Sequence, residues 1–221
     1  MSAAEALTLD GIAARAMEHR LDVLGGFNTE DDPGLPPGTR TLLLLGPLEP
    51  GFWPLVTTSA EWRDGAPDPM DRWSRRVIGG LARDLGAEAL FPFGGPPWHP
   101  FFQWAQRSGR AWESPMRLLV HDRTGLFFSC RGALALREHI APPPPGRYPC
   151  EGCPRYCLSA CPARALAEGS YEVARCRDWL ATPAGENCLA AGCLARRACP
   201  ISQGHARLPE HSAYHMRQFH K

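Results

Sequence analysis

Along residues 1–140, segments in which apolar residues recur at helical spacing alternate with short apolar runs typical of strands. This pattern predicts a domain that mixes helices with strands. The clearest helix is predicted from Asp68 to Leu85. Asp68 can cap this helix, Pro69 suits its first position and Gly86 can end it. Apolar residues recur every three or four positions and share one face, which is expected to enter the core: they are Met70, Trp73, Val77, Leu81 and Leu85.

The other periodic segments of this part predict one further helix and a sheet. The helix runs from Ala13 to Leu24 and is closed by Gly25 and Gly26. Short apolar runs between turn residues predict strands, which are Thr41 to Leu45, Ala87 to Phe91 and Gly132 to Leu136. A hairpin is predicted from Met116 to His121 and Gly125 to Cys130, joined by Asp122-Arg-Thr124.

A proline run divides the sequence after Ala141. Consecutive prolines fix φ and favour extended polyproline geometry, so Pro142 to Pro145 should act as a stiff spacer. We therefore predict an α+β fold with three parts: an α/β sheet domain over residues 1–140, a linker over 141–149 and a small cysteine-rich domain over 150–221.

Composition narrows the functional classes. The net charge of +1 gives no reason to expect nucleic acid as a partner. The chain opens without a basic-then-apolar leader, and no apolar run approaches the roughly 20 residues that span a bilayer. We therefore expect a cytoplasmic protein with no membrane partner. Thiols stay reduced in that compartment, which favours metal binding over disulfides for the cysteines.

Eight of the nine cysteines lie between residues 150 and 199, in two groups that each end in Cys-Pro. The first group is Cys150, Cys153, Cys157 and Cys161-Pro162, and the second is Cys176, Cys188, Cys193 and Cys199-Pro200. A tight run supplies three ligands to one 4Fe–4S cluster, while its fourth cysteine, beside proline, reaches the other cluster. Such a module moves electrons.

Applied to this chain, the interleaved pattern divides the ligands between two clusters. The first cluster takes Cys150, Cys153, Cys157 and Cys199, and the second takes Cys161, Cys176, Cys188 and Cys193. The segment from Ala163 to Ala167 has the composition of the short helix expected after Cys161-Pro162. The alternative is zinc, since two all-cysteine tetrahedral sites could staple the same segment. The two Cys-Pro endings favour iron–sulfur.

Cys130 stands apart and is predicted to pack as a small buried hydrophobe.

Three residues of the front part are candidates for binding a cofactor. His99 and His121 could ligate a metal or a corrinoid cobalt, and Arg131 could bind an anionic group. Each also has a structural interpretation, as a hydrogen-bonded histidine or a surface cation. Six tryptophans suit either a core or the wall of a pocket for a large planar ligand; they are Trp53, Trp62, Trp73, Trp98, Trp104 and Trp112.

The cysteine order over residues 150–200 resembles the C-terminal, ferredoxin-like part of epoxyqueuosine reductase and the reductive dehalogenases. The motifs that carry this resemblance are Cys150-Glu-Gly-Cys153, Cys161-Pro162, Val173-Ala-Arg-Cys176 and Cys199-Pro200. In those enzymes two 4Fe–4S clusters feed electrons to a cobalamin, and the last cysteine closes the first cluster. The resemblance implies the same role for Cys199.

Residues 41–136 resemble the cobalamin-processing chaperone family of the cobalamin C type, which has a flavin-reductase-like fold. The matching motifs are Asp68-Pro-Met-Asp-Arg-Trp73, His99-Pro100 and the segment from Leu119 to Gly132. The resemblance implies a flavin-reductase-like first domain that holds cobalamin or, less readily, a flavin. His99, His121 and Arg131 are then the cofactor-binding candidates, and no catalytic residue is assigned.

These patterns together predict an iron–sulfur redox protein. Its two 4Fe–4S clusters would pass electrons to a cofactor, cobalamin being the expected one, for cobalamin reduction or processing or for another reductive reaction. The electron donor would be a flavodoxin, a ferredoxin or a reductase. Two alternatives stay open: a ferredoxin-type carrier or partner subunit without its own cofactor, and a zinc-stapled binding protein.

Overall fold

The chain folds as a mixed α+β protein whose sheets are antiparallel, in a computed structural model that describes residues 7–30 and 32–221. It divides into two compact units. The first unit contains the described residues up to Gly109 together with Ser129–Pro145, and the second contains Arg110–Phe128 together with Gly146–Lys221. Among the described residues, no helix has the length and apolar character needed to cross a membrane.

The elements are numbered in chain order. The strands are β1 (Leu21–Asn28), β2 (Thr41–Pro47), β3 (Glu88–Leu90), β4 (Ala111–Glu113), β5 (Leu119–His121), β6 (Gly132–Leu136), β7 (Leu166–Ala167) and β8 (Ser170–Tyr171). The helices of the first unit are α1 (Leu9–Glu18), α2 (Phe52–Thr57), α3 (Ala60–Arg63), α4 (Pro69–Asp84) and α5 (Phe101–Arg107). Those of the second unit are α6 (Tyr156–Ser159), α7 (Val173–Leu180), α8 (Glu186–Ala191), α9 (Leu194–Arg197), α10 (Pro200–Gln203) and α11 (Pro209–His220).

A four-stranded sheet in the order β1-β2-β6-β3 forms the centre of the first unit. Its two inner strands, β2 and β6, are buried along their whole length, as expected for continuous apolar runs covered on both faces. The predicted strands from Thr41 to Leu45, Ala87 to Phe91 and Gly132 to Leu136 are confirmed as β2, β3 and β6. Gly132 permits close packing of α4, since a Cβ there would lie 2.9 Å from the Ile78 side chain.

Helix α4 confirms the strongest helix prediction. Its predicted apolar face is buried, and Trp73 meets Phe52 edge-on with ring centroids 5.4 Å apart. The helix ends where Gly86 adopts a left-handed φ of 64°. The expected cap is wrong in detail, because Asp68 has a φ of 52° and its side chain makes no capping hydrogen bond.

The predicted helix from Ala13 to Leu24 is wrong in its second half. Helix α1 ends at Glu18, and the chain then enters β1, which contains Gly25 and Gly26. The reason is strand pairing: β1 lies antiparallel to β2, and a Cβ at Gly26 would lie only 2.6 Å from the Leu42 carbonyl oxygen. Gly26 therefore allows close strand contact, and neither glycine ends a helix.

The second unit combines a hairpin with the cysteine-rich segment. Strand β5 pairs with β4, and the predicted partner, Gly125 to Cys130, contributes only an isolated bridge between Gly125 and His121. That segment is held elsewhere: the Leu126 N–H donates to Ser202 Oγ at 2.9 Å, and the Phe127 carbonyl accepts from Arg207 at 3.0 Å. Residues 110–128, which the sequence analysis placed in the domain of residues 1–140, consequently belong to the second unit.

The predicted helix from Ala163 to Ala167 is also wrong. Leu166 and Ala167 form β7, which pairs with β8, and Arg164 takes a left-handed φ of 52° that a helix cannot contain. The core of this unit joins hairpin residues to the cysteine-rich segment and includes two of the thiols; it consists of Met116, Val120, Leu126, Cys157, Leu166, Ala195 and Cys199.

Candidate metal centres

Four cysteines line one cavity of about 230 Å³ in the second unit. They are Cys150, Cys153, Cys157 and Cys199, which we call the first thiol set. The first two come from a loop, Cys157 lies in α6, and Cys199 directly precedes α10. Apolar side chains complete the wall, including Val120, Leu126 and Ile201. The cavity therefore presents four soft sulfur ligands in apolar surroundings, which suits an iron–sulfur cluster.

The loop that carries the first thiol set is bent by two residues in the left-handed region. Gly152 has a φ of 68° and Arg155 a φ of 57°. Within this loop the Cys153 N–H donates to the Cys150 carbonyl at 3.3 Å, and the Arg155 N–H donates to the Cys153 sulfur at 3.4 Å. A tight irregular loop that directs an amide at sulfur is typical of cluster binding, because such hydrogen bonds stabilise the charge on sulfur.

Burial and neighbouring thiols oppose ionisation within the first thiol set. Burial raises the pKa of Cys150 and of Cys157, and negative charge on the other members of the set raises both values further. The nearby Tyr148 hydroxyl lowers the pKa of Cys150 and so partly offsets this rise. A cationic group in the cavity would reverse this balance and favour the thiolates, so the donor set fits a bound metal cluster.

The other four cysteines form the second thiol set: Cys161, Cys176, Cys188 and Cys193. Burial raises the pKa of Cys176 and of Cys188, and charge on Cys193 and Cys161 raises both further, so these thiols lie near one another. The first thiol set lines one cavity, and the division of all eight cysteines into two ligand groups stays a prediction. Their binding of metal stays a prediction.

A single zinc ion and a cubane cluster require different spacings of their thiolates. Across residues 7–30 and 32–221, no three Cys, His, Asp or Glu side chains converge closely enough to hold one metal ion. Four thiolates on one Zn²⁺ at about 2.3 Å would lie only about 3.8 Å apart. Ligands of a cubane cluster each bind a different iron and stand farther apart.

A tyrosine hydroxyl accompanies each thiol set. The Tyr148 hydroxyl lowers the pKa of Cys150 and the Tyr171 hydroxyl lowers that of Cys176, each against the larger effect of burial. Burial, followed by the neighbouring Cys150, raises the pKa of Tyr148 to about 12, so its hydroxyl keeps its proton at neutral pH and donates to the Glu113 carbonyl at 3.4 Å. Tyr148 also packs against Trp112 of β4. Neither tyrosine belongs to a motif that predicts a role at sulfur, although Tyr148 precedes Cys150 by only two residues.

No protein-family model matches this chain, and no curated protein or solved structure gives a significant match. The resemblances in cysteine spacing and in the front motifs therefore stay predictions. Function has to be inferred from the residues themselves.

The three cofactor candidates of the front part lie in different surroundings. His99 stacks on Trp104 at the start of α5, with ring centroids 5.5 Å apart. Arg131 is buried, ion-pairs with Asp71, and its Nε donates to Ser74 Oγ at 3.1 Å. It is therefore a structural cation within the first unit, and the interpretation as a surface cation is wrong.

His121 belongs to the second unit and is fully buried. Its Nδ1 accepts the Arg123 N–H at 3.1 Å, and its ring stacks on Phe128 with centroids 5.3 Å apart. Each of these contacts supports the structural interpretation of the histidine. The first unit therefore contains only His99 and Arg131 of the three candidates.

Cys130 and three of the tryptophans are packed inside the protein. Cys130 is partly buried in the first unit, and burial raises the pKa of its thiol to about 12, so it stays protonated at neutral pH. Trp53, Trp73 and Trp104 belong to the core, whereas Trp98 is 66% exposed. Core packing therefore accounts for half of the six tryptophans that the sequence analysis singled out.

Proposed function

We propose that this protein transfers electrons through two 4Fe–4S clusters, one on each thiol set. The observation that carries the proposal is the convergence of Cys199 with Cys150, Cys153 and Cys157 around one cavity, although 41 residues separate Cys199 from Cys157. Cysteines that bind one metal cluster must meet at one cavity, even when they are distant in sequence. Buried thiols with no common ligand have no reason to meet there.

When bound, a cluster supplies one-electron chemistry. The protein supplies the thiolates, the apolar wall and the hydrogen bonds that tune the cluster. The Arg155 N–H donates to the Cys153 sulfur, and the Tyr148 hydroxyl lowers the pKa of Cys150. Both effects favour negative charge on sulfur, and hence the reduced state.

The two sites are close enough in sequence to act in series. Cys157 of the first set and Cys161 of the second lie four residues apart, which even a fully extended chain spans in about 14 Å. Both sets also belong to the second unit. Electrons entering at one site can therefore pass to the other within the same unit.

The motif resemblances suggest where the electrons go. They imply a flavin-reductase-like first unit and a ferredoxin-like second unit, with a cobalamin, or less readily a flavin, as the acceptor. The reaction would be cobalamin reduction or processing, or another reductive step, in the cytoplasm, with a flavodoxin, ferredoxin or reductase as donor. The protein would then be an oxidoreductase.

A carrier or partner subunit without its own cofactor is the second candidate. It is favoured by the placement of the cofactor candidates: Arg131 is already paired with Asp71, and His121 belongs to the second unit. An anaerobic titration of the full chain with cobalamin separates the two candidates. A spectral shift with retained corrinoid supports a cobalamin-linked role, whereas an unchanged spectrum supports a carrier.

Metal analysis tests the proposal itself. Protein purified without oxygen is expected to contain about eight iron and about eight acid-labile sulfide per chain, as two cubanes require. About two zinc ions per chain without sulfide would contradict the proposal and support a zinc-stapled protein.

A further inference from the structure

We propose that the Ser114 hydroxyl donates a hydrogen bond to the cluster on the first thiol set and raises the reduction potential of that cluster. This role rests on the proposed function, because it requires a cluster in the cavity of the first thiol set. Ser114 lies in the β4–β5 hairpin, which contains no cysteine and to which the sequence analysis assigned no role in metal binding.

Both backbone polar groups of Ser114 form hydrogen bonds within the hairpin. Its N–H donates to the Leu118 carbonyl at 2.8 Å, and its carbonyl accepts the Arg117 N–H at 2.9 Å. These two bonds close the turn between β4 and β5 and hold the Ser114 backbone from both sides. The hydroxyl is the one polar group of this residue that the turn does not engage.

Burial makes this hydroxyl unusual. Ser114 is only 4% exposed, and within the described part of the chain its Oγ has no hydrogen-bond partner. Most buried hydroxyls are paired, because losing water without a replacement partner is costly. Ser114 lines the cavity that Cys150, Cys153, Cys157 and Cys199 also line. A group bound there would supply the missing partner.

The chemistry of that group fixes the direction of the hydrogen bond. Cluster sulfides and cysteine thiolates accept hydrogen bonds and have no proton to give, whereas a serine hydroxyl can donate. Reduction adds an electron and increases the negative charge on sulfur. A donor therefore stabilises the reduced cluster more than the oxidised one, and the potential rises.

Ser114→Ala tests this role by potentiometric titration followed by EPR. The reduction equilibrium of the first cluster should become less favourable by up to about tenfold, which is about 59 mV for a one-electron couple. The potential of the second cluster should not change. Ser114→Thr keeps the hydroxyl and should restore most of the wild-type value.

Ser108→Ala is the matched control. Ser108 is also buried, but its hydroxyl donates to the Ala105 carbonyl at 2.6 Å in the first unit. Its removal should leave both potentials at their wild-type values. An equal shift in Ser108→Ala and Ser114→Ala would overturn the proposed role, because it would show a general effect of losing a buried hydroxyl.

A second readout does not depend on the potential. After exchange into D₂O, pulsed EPR of the reduced wild-type protein should detect a deuteron coupled to the first cluster that is missing from Ser114→Ala and present in Ser114→Thr. If Ser114→Ala does not retain its first cluster, the comparison of wild type with Ser114→Thr decides, and absence of the deuteron from both overturns the proposal.

The failure of this role is distinguishable from failure of the proposed function. Wild-type protein that contains iron and sulfide, combined with an unshifted potential and an unchanged deuteron signal in Ser114→Ala, refutes only the role of Ser114. Wild-type protein without iron and sulfide refutes the cluster proposal and this role with it.

Discussion

The contact between Gly125 and Ser202 should support the first thiol set without including a cysteine. Gly125 has a φ of 58°, and a Cβ there would lie 2.5 Å from the Ser202 nitrogen and 2.7 Å from its Oγ. Ser202 lies in α10, which begins directly after Cys199. The change Gly125→Ala should therefore displace α10 and weaken the hydrogen bond between the Leu126 N–H and Ser202 Oγ.

Gly169→Ala provides the matched control within the same unit. Gly169 has a φ of 74° and nothing within 4 Å of the added Cβ, so alanine there suffers backbone strain alone. That strain costs about 1 kcal/mol. In Gly125→Ala, steric displacement adds about 1–3 kcal/mol and the weakened hydrogen bond about 1 kcal/mol.

The assay is thermal loss of the visible cluster absorbance under anaerobic conditions at a fixed heating rate. In a domain of this size, 1 kcal/mol lowers the midpoint by about 4–8 °C. We expect that decrease for Gly169→Ala and a further decrease of at least about 8 °C for Gly125→Ala. Equal midpoints for the two variants would refute the packing argument, since only Gly125 contacts α10.

Three further predictions concern single side chains. Tyr171→Phe removes the hydroxyl that lowers the pKa of Cys176 and should lower the potential of the second cluster in a redox titration, leaving the first unchanged. Arg131→Ala leaves Asp71 without its cation and should destabilise the first unit by about 2–4 kcal/mol in urea denaturation; an effect below about 0.5 kcal/mol would contradict the structural role. Burial lowers the pKa of His205 to about 4, below the usual 6.5, so its contribution to stability is complete above pH 6.5 and is lost as the pH falls towards 4. Replacement by glutamine should flatten that decline in melting temperature, and an unchanged slope would rule out His205 as its source.

The spacing of apolar residues within a single segment was sufficient to predict several helices and strands. The apolar face of α4 and the buried runs of β2 and β6 are determined by periodicity, and the structure confirms them. The grouping of the eight cysteines is a prediction from the interleaved pattern, in which the cysteine beside proline reaches the other cluster.

Contacts between distant segments explain what the sequence did not predict. Gly26 ends no helix because β2 lies against it, and Gly125 pairs with no long strand because Ser202 holds the neighbouring residue. Only after the hairpin and the cysteine loop have packed together does Ser114 line the cavity of the first thiol set and Tyr148 contact Trp112. No local pattern in the chain marks such residues.

The division of the cysteines between two clusters is tested most directly by replacing Cys199 with serine. Iron and sulfide are measured in anaerobically purified protein, with Cys130→Ser as the control because Cys130 lies in the other unit. We predict about four iron and four sulfide per chain for Cys199→Ser, about eight of each for the control, and an EPR signal from the second cluster alone. Retention of about eight iron in Cys199→Ser, or the absence of iron and sulfide from wild type, would contradict the account.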